Sequence, residues 1–123
     1  MKLEKYSFGI GDRFGQQGIA QLEALIKAKK DGIEFVPVWN KSNREHQIIH
    51  SEPKDTKVEA DAAVKALKWD APYYVDADHI NLNTVDPFLD HSNFFTLDVA
   101  DYIGSETSEI ELEKFLTLAS PYE

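Results

Sequence analysis

Asp76, Asp78 and His79 close the apolar run of "YYVDADHINL", residues 73 to 82, with two carboxylates and an imidazole. Carboxylate oxygens beside an imidazole nitrogen suit Zn2+, Mn2+, Fe2+ or Ni2+. Two neighbouring carboxylates also push one pKa up, which suits a group that carries a proton. In an extended segment Asp76 and Asp78 point to one face, and His79 points to the other unless the chain turns there. The competing reading is a polar strand-to-helix loop, in which an Asp caps the next helix and His79 is solvated.

A second group lies in "GIGDRFG", residues 9 to 15. Gly9, Gly11 and Gly15 let backbone approach a ligand. Arg13 offers a bidentate clamp for a carboxylate, and Asp12 can position it or bind a metal. Phe14 stands where a dinucleotide fingerprint needs its third glycine, and no G-K-[ST] follows as in a P-loop. A glycine-rich turn with a surface Asp–Arg pair is the plain alternative. Asn40 closes the second apolar run, and Asp98 follows "FFTL" directly; Asp101 reads as a turn or cap. His46 and His50 stand four apart, but no Glu follows the first as in H-E-x-x-H. Their region reads as a polar loop carrying surface histidines. His91 is expected near the end of a short helix, at the start of the next strand.

The elements that must hold these residues alternate. Strands are expected over residues 5–10, 34–39, 72–75 and 94–99. Pro37 lacks the N–H of a ladder bond, so it belongs where none is needed. The first helix spans 16–30, with Ile19, Leu22, Leu25 and Ile26 on one stripe and lysines before Gly32. The second opens at Thr56 and Glu59, a capping-box spacing, with a stripe of Ala60, Ala63, Val64 and Leu67. A short helix covers 84–91. The last follows Ser108 and Glu111 and carries Leu112, Phe115, Leu116 and Ala119. Glu109, Glu111 and Glu113 form its solvated face, and Trp69 is read as a packing residue. Four consecutive βα units imply an α/β fold with a parallel sheet and right-handed crossovers. A small doubly wound sheet fits, and so does half of a TIM-type (β/α)8 barrel, since a whole barrel takes about 250 residues. In both, ligands gather beyond the carboxyl ends of the strands.

The chain has 123 residues, one modest domain, with 42% hydrophobic and 28% charged residues. Its formal net charge of −9 argues against nucleic acid or an anionic membrane surface as partner. A small anionic substrate answers to local charge and remains compatible. There is no cysteine, hence neither disulfide nor thiolate chemistry. No apolar run is long enough for a membrane span. The opening "MKLEKYSFGIGDRFG" has acid and glycine where a signal peptide needs an apolar core, so a cytoplasmic location is expected.

"SFGIGDRFG", "DADHINL" and "FFTLDVADYIG" together resemble the tagaturonate epimerase family. Its members carry S-F-G-x-G-D-R-x-G, A-D-A-D-H and F-T-x-D-x-x-D segments in this order. The resemblance runs from Ser7 to about Gly104, with Val75 where the family usually has alanine. It implies a β/α barrel, a divalent metal and C4 epimerisation between D-tagaturonate and D-fructuronate, keto sugar acids. The expected roles follow: His79 and Asp78 as metal ligands, Asp76 and Asp98 as catalytic groups. Gly11, Asp12 and Arg13 are expected at the substrate, joined by Asn40 from the second strand. Family members are several hundred residues long. Residues 1–123 are therefore expected to be one βα-repeat domain, the N-terminal portion of a larger barrel enzyme, inactive alone or pairing with a second copy through open sheet edges. The same residues also fit a non-catalytic half barrel that binds a sugar acid or metal, or another metal-dependent barrel hydrolase or isomerase.

Overall fold

A computed structural model describes residues 3–122. Strands β1 (Ser7–Ile10), β2 (Val36–Ser42), β3 (Tyr74–Ile80) and β4 (Phe94–Leu97) form one sheet in the order β1-β2-β3-β4. Every neighbouring pair is parallel. Helix α1 (Gly18–Lys30) connects β1 to β2, while α2 (Asn43–Ile49) and α3 (Pro53–Leu67) connect β2 to β3. A 3-10 turn at Asp86–Phe88 lies between β3 and β4, and α4 (Glu109–Ala119) follows β4. The expected α/β alternation and parallel sheet are present. No helix among the described residues is long and apolar enough to cross a membrane.

The two faces of the sheet differ. Ile10, Trp39 and Val75 are register partners across β1, β2 and β3. They pack with Leu22 and Leu25 of α1 and Ala60 and Ala63 of α3 into the main core. Trp69 joins this core from its edge, as a packing residue. Because side chains alternate along a strand, the residues between them point to the other face. There Val36, Val38 and Tyr74 are buried, with Phe94 against them. Beyond this apolar floor, towards the carboxyl ends, the same face carries Asn40, Asp76, Asp78 and Thr96.

Long-range polar contacts lock α1 in place. No side chain of its own first turn caps it. Glu59 Oε1 of α3 instead accepts the Gly18 N–H at 2.9 Å. Asp12 folds the preceding turn, accepting the N–H groups of Phe14, Gln16 and Gln17. Glu59 is therefore a tie between helices, not the third residue of a capping box opened by Thr56. That helix begins earlier, at Pro53, where Glu52 and Asp55 make the reciprocal box. Thr56 is buried inside it.

Other boundaries also shift. Strand β2 extends to Ser42 and β3 to Ile80, so "DADH" is strand and not loop. Only one 3-10 turn forms in residues 84–91. The polar stretch after β2 contains α2, whose start Ser42 and Glu45 fix with a capping box. His46 lies on the inner side of α2, 3% exposed, against Phe88. The expected surface histidine is thus a core residue, and its Nδ1 shares a hydrogen bond with the Ser51 hydroxyl. His50 does remain at the surface, as the left-handed cap of α2. The Ser108–Glu111 box starts α4 as its spacing predicts.

Two outcomes test this packing. A Cβ on Gly11 would come within 2.9 Å of the Asn40 carbonyl oxygen and closer still to its side-chain Oδ1. Gly11→Ala should therefore lower stability by about 1–3 kcal/mol in chemical denaturation, the usual range for overpacking. Burial, helped by the charge of Lys41, pushes the His46 pKa from 6.5 down to about 4. The unfolded chain then binds the extra proton between those values, so stability is present above about pH 6.5 and lost as pH falls towards 4. The loss should reach about 3 kcal/mol. It should disappear from the acid limb of thermal melts in His46→Gln.

Candidate active site

The register of β2 and β3 builds the site. Asn40 is the Cα partner of Asp76, and Ser42 of Asp78. Asp76 is in turn opposite Phe94, two residues before Thr96 on β4. Asn40, Asp76, Asp78 and Thr96 therefore share one face, above the floor of Val38 and Tyr74.

Asp76 is the most deeply placed acid of this group, 5% exposed. Its Oδ2 accepts the Thr96 hydroxyl at 2.8 Å. Its Oδ1 is buried and has no partner among the described residues. Burial raises its pKa, Thr96 opposes the rise, and the charge of Asp78 adds to it. A half-satisfied buried carboxyl held towards its protonated form is a ready proton carrier.

His79 answers the question of alternation. The β3–β4 register breaks between Ala77 and Ile80, and His79 has φ 53°, in the left-handed region. Such a conformation is uncommon for a residue with a side chain, and a bulge re-aims what it carries. His79 Nδ1 consequently meets Asp78 Oδ1 at 2.8 Å instead of pointing away from it. The Asp78 hydrogen bond raises the His79 pKa, and the charges of Asp98 and Asp76 act in the same direction. Asp98 follows β4, and its N–H donates to the Ile80 carbonyl at 2.9 Å, extending the ladder by one bond.

The "GDR" residues lie differently. Gly11 does reach the site, because Asn40 packs over the backbone of Gly9 and Gly11. Asp12 faces the start of α1, and its pKa is lowered first by the Gln16 N–H it accepts. Arg13 stands 3.8 Å from Glu45 of α2, at the protein surface. Buried Lys41, on the helix side of β2, acts electrostatically on Asp12, Glu45 and Glu59. Two polar groups thus lie on opposite sides of the sheet. Asn40, Asp76, Asp78 and Thr96 form one, with His79 turned onto Asp78; Lys41 with Asp12, Glu45 and Glu59 around it forms the other, Arg13 pairs with Glu45, and Asp98 lies just beyond the end of β4. Thr96 was not singled out by sequence. Its position two before Asp98, on the face of Phe94, is the signal that marks it. Lys41 gave none, and Glu59 reads as a helix cap, because each meets its partners only across the fold.

A metal can be tested against this donor set. Metal sites of the zinc type take at least three protein ligands. Among the described residues no three His, Asp or Glu side chains converge as such a set. Asp78 and His79 stand as a pair of possible donors, and no third joins them among the described residues.

A parallel α/β sheet with acids gathered at the carboxyl ends of its strands has the layout of the α/β enzymes that bind ligands at that rim. A profile of the tagaturonate epimerase family matches residues 1–120, and the chain belongs to that family of epimerases. Comparison with curated proteins and with solved structures yields no match.

The raised Asp76 pKa has a consequence for stability. Protonated Asp76 suits the folded state, so its contribution is full below its unfolded value of 3.8 and is lost as pH rises through the higher folded value. Asp76→Asn keeps an acceptor for Thr96 and removes the charge. It should melt at a higher temperature than the parent at pH 7, with the gap closing below about pH 4. A lower melting temperature at pH 7 would contradict the burial argument.

Proposed function

We propose that this chain forms the first half of a (β/α)8-type barrel that epimerises a keto sugar acid at C4, between D-tagaturonate and D-fructuronate. Family membership supports the reaction class. The observation that carries the reading to this face of the sheet is the buried, unpartnered Oδ1 of Asp76. In a barrel this face is the interior, and the rim of β2, β3 and β4 is where substrate binds.

Inversion at a carbinol carbon, by direct deprotonation or by a retro-aldol route, needs a base to accept a proton and an acid to return it. Asp76 of β3 serves as one such group and Asp98, just after β4, as the other. Asn40 positions substrate hydroxyls over the Gly9–Gly11 backbone; Arg13, beside Glu45, would have to swing over the rim to reach the substrate carboxylate, and Asp12 stays with the turn it holds. A divalent ion such as Zn, Mn, Fe or Ni would take Asp78 and His79 from this chain and further ligands from outside it. The domain is the N-terminal part of a larger cytoplasmic enzyme, with a sugar acid as its partner and neither nucleic acid nor membrane. A second reading, a half barrel that holds the sugar acid without turning it over, is favoured by the two-donor Asp78–His79 pair.

Titration of the nitrogen-15-labelled chain with D-tagaturonate separates these outcomes. The amide signals of Asn40, Asp76 and Thr96 should move, and Asp76→Asn should weaken binding by about tenfold, the cost of one hydrogen bond to a charged group. Unmoved signals would sink the site. Formation of D-fructuronate by the isolated chain would overturn the second reading.

A further inference from the structure

Lys41 is a buried ammonium without a direct contact. It lies on the helix side of β2, 3% exposed. Among the described residues it makes neither a hydrogen bond nor an ion pair. A charge taken out of water is costly unless hydrogen-bonded partners replace the lost solvent. Asp12, Glu45 and Glu59, from three different segments, are near enough to feel the Lys41 charge. Each is engaged elsewhere. Asp12 holds its own turn, Glu45 closes the capping box of α2, and Glu59 Oε1 takes the Gly18 N–H.

The second Glu59 oxygen meets Lys41 at Gly15. A methyl carbon placed on Gly15 would stand 3.6 Å from Lys41 Nζ and 3.4 Å from Glu59 Oε2. Both are ordinary contact distances for a carbon. The glycine hydrogen therefore faces a cradle that one small group fills, with an ammonium on one wall and a carboxylate oxygen on the other. The indole N–H of Trp39, also buried and without a partner among the described residues, lies 3.2 Å from the corresponding position on Gly18. Glu59 Oε1 is 3.0 Å from that same position, so a second donor faces the same carboxylate. Donors outnumber acceptors here, and an occupant of the cradle has to accept a hydrogen bond. An open cleft of about 290 Å3 between α1 and α3 borders Gly15, Gly18 and Glu59 and connects them to solvent.

Charge decides the kind of occupant. An anion would add a negative charge among Asp12, Glu45 and Glu59, and a cation would meet the ammonium. A neutral oxygen carrying a proton suits both walls, because it accepts from Lys41 and donates to Glu59. Buried waters take about two to four polar partners of this sort. We propose that Lys41 Nζ and Glu59 Oε2 hold an internal water over Gly15. This water ties β2 to α3 and to the turn that follows β1. Gly15 has φ 66°, which already favours glycine, and the cradle adds a second reason for the missing side chain. The site is on the helix side of the sheet and does not rest on the sugar-acid reading.

A high-resolution crystal structure of the parent chain should show a single oxygen within about 3.2 Å of both Lys41 Nζ and Glu59 Oε2. In solution, cross-relaxation between water and the Gly15 α-protons should carry the sign of a long-lived water. Lys41→Met keeps an unbranched stem and removes the ammonium, and both signals should be lost in it while Gly18 keeps its bond to Glu59. The two parent measurements stand whether or not this variant folds. Lys41 bonded directly to Glu59, with no oxygen between them, overturns the proposal. A bromide peak in the cradle after a bromide soak overturns it in favour of an anion site. A water that persists unchanged in Lys41→Met overturns the part given to Lys41.

Discussion

Parallel, in-register pairing of β2 with β3, with the α1 and α3 crossovers packed on one face, is the constraint on which the rest depends. Alternation sends Trp39 and Val75 into the core beneath α1 and α3. The intervening residues are then obliged to the opposite face, in rows set by the register. Val38 meets Tyr74, then Asn40 meets Asp76, then Ser42 meets Asp78. The face changes from apolar to polar along the strand direction, so the polar groups collect at the carboxyl ends. No separate device is needed to bring them together.

The acids of this protein divide by how fully they are satisfied. Asp12 accepts three backbone N–H groups, and Glu45 belongs to the capping box of α2. Such carboxylates hold turns and helix starts, where ionisation is favoured by the donors around them. Asp76 is buried with one oxygen bonded and one without a partner among the described residues. A group left in that condition raises a question of function, because burial without full hydrogen bonding opposes stability. The bulge at His79 is a second departure from ideal geometry, and it lies in the same strand. Irregular backbone and an incompletely bonded carboxyl coincide at the rim, where parallel α/β sheets bind their ligands.

The edges carry a different message. β1 and β4 are four-residue strands with exposed flanks, while β2 and β3 are buried on both faces. Short outer strands limit uncontrolled pairing. Stability is thus concentrated in the centre of the sheet.

The amino-acid order alone determined the alternation of strands and helices, the parallel sheet, the Ser108 start of α4 and the acids at strand ends. These follow from periodicity, caps and local apolar runs, which neighbours in sequence encode. Only the tertiary structure decided that "DADH" is strand, since three polar residues around an alanine become strand when β2 supplies the ladder. It also decided that His46 is buried, because Phe88, forty-two positions on, covers it. The same holds for the Thr96–Asp76 bond, the Glu59 tie to Gly18 and the turning of His79 onto Asp78. Each depends on register or packing between distant segments, and no local pattern specifies which segment will arrive opposite which.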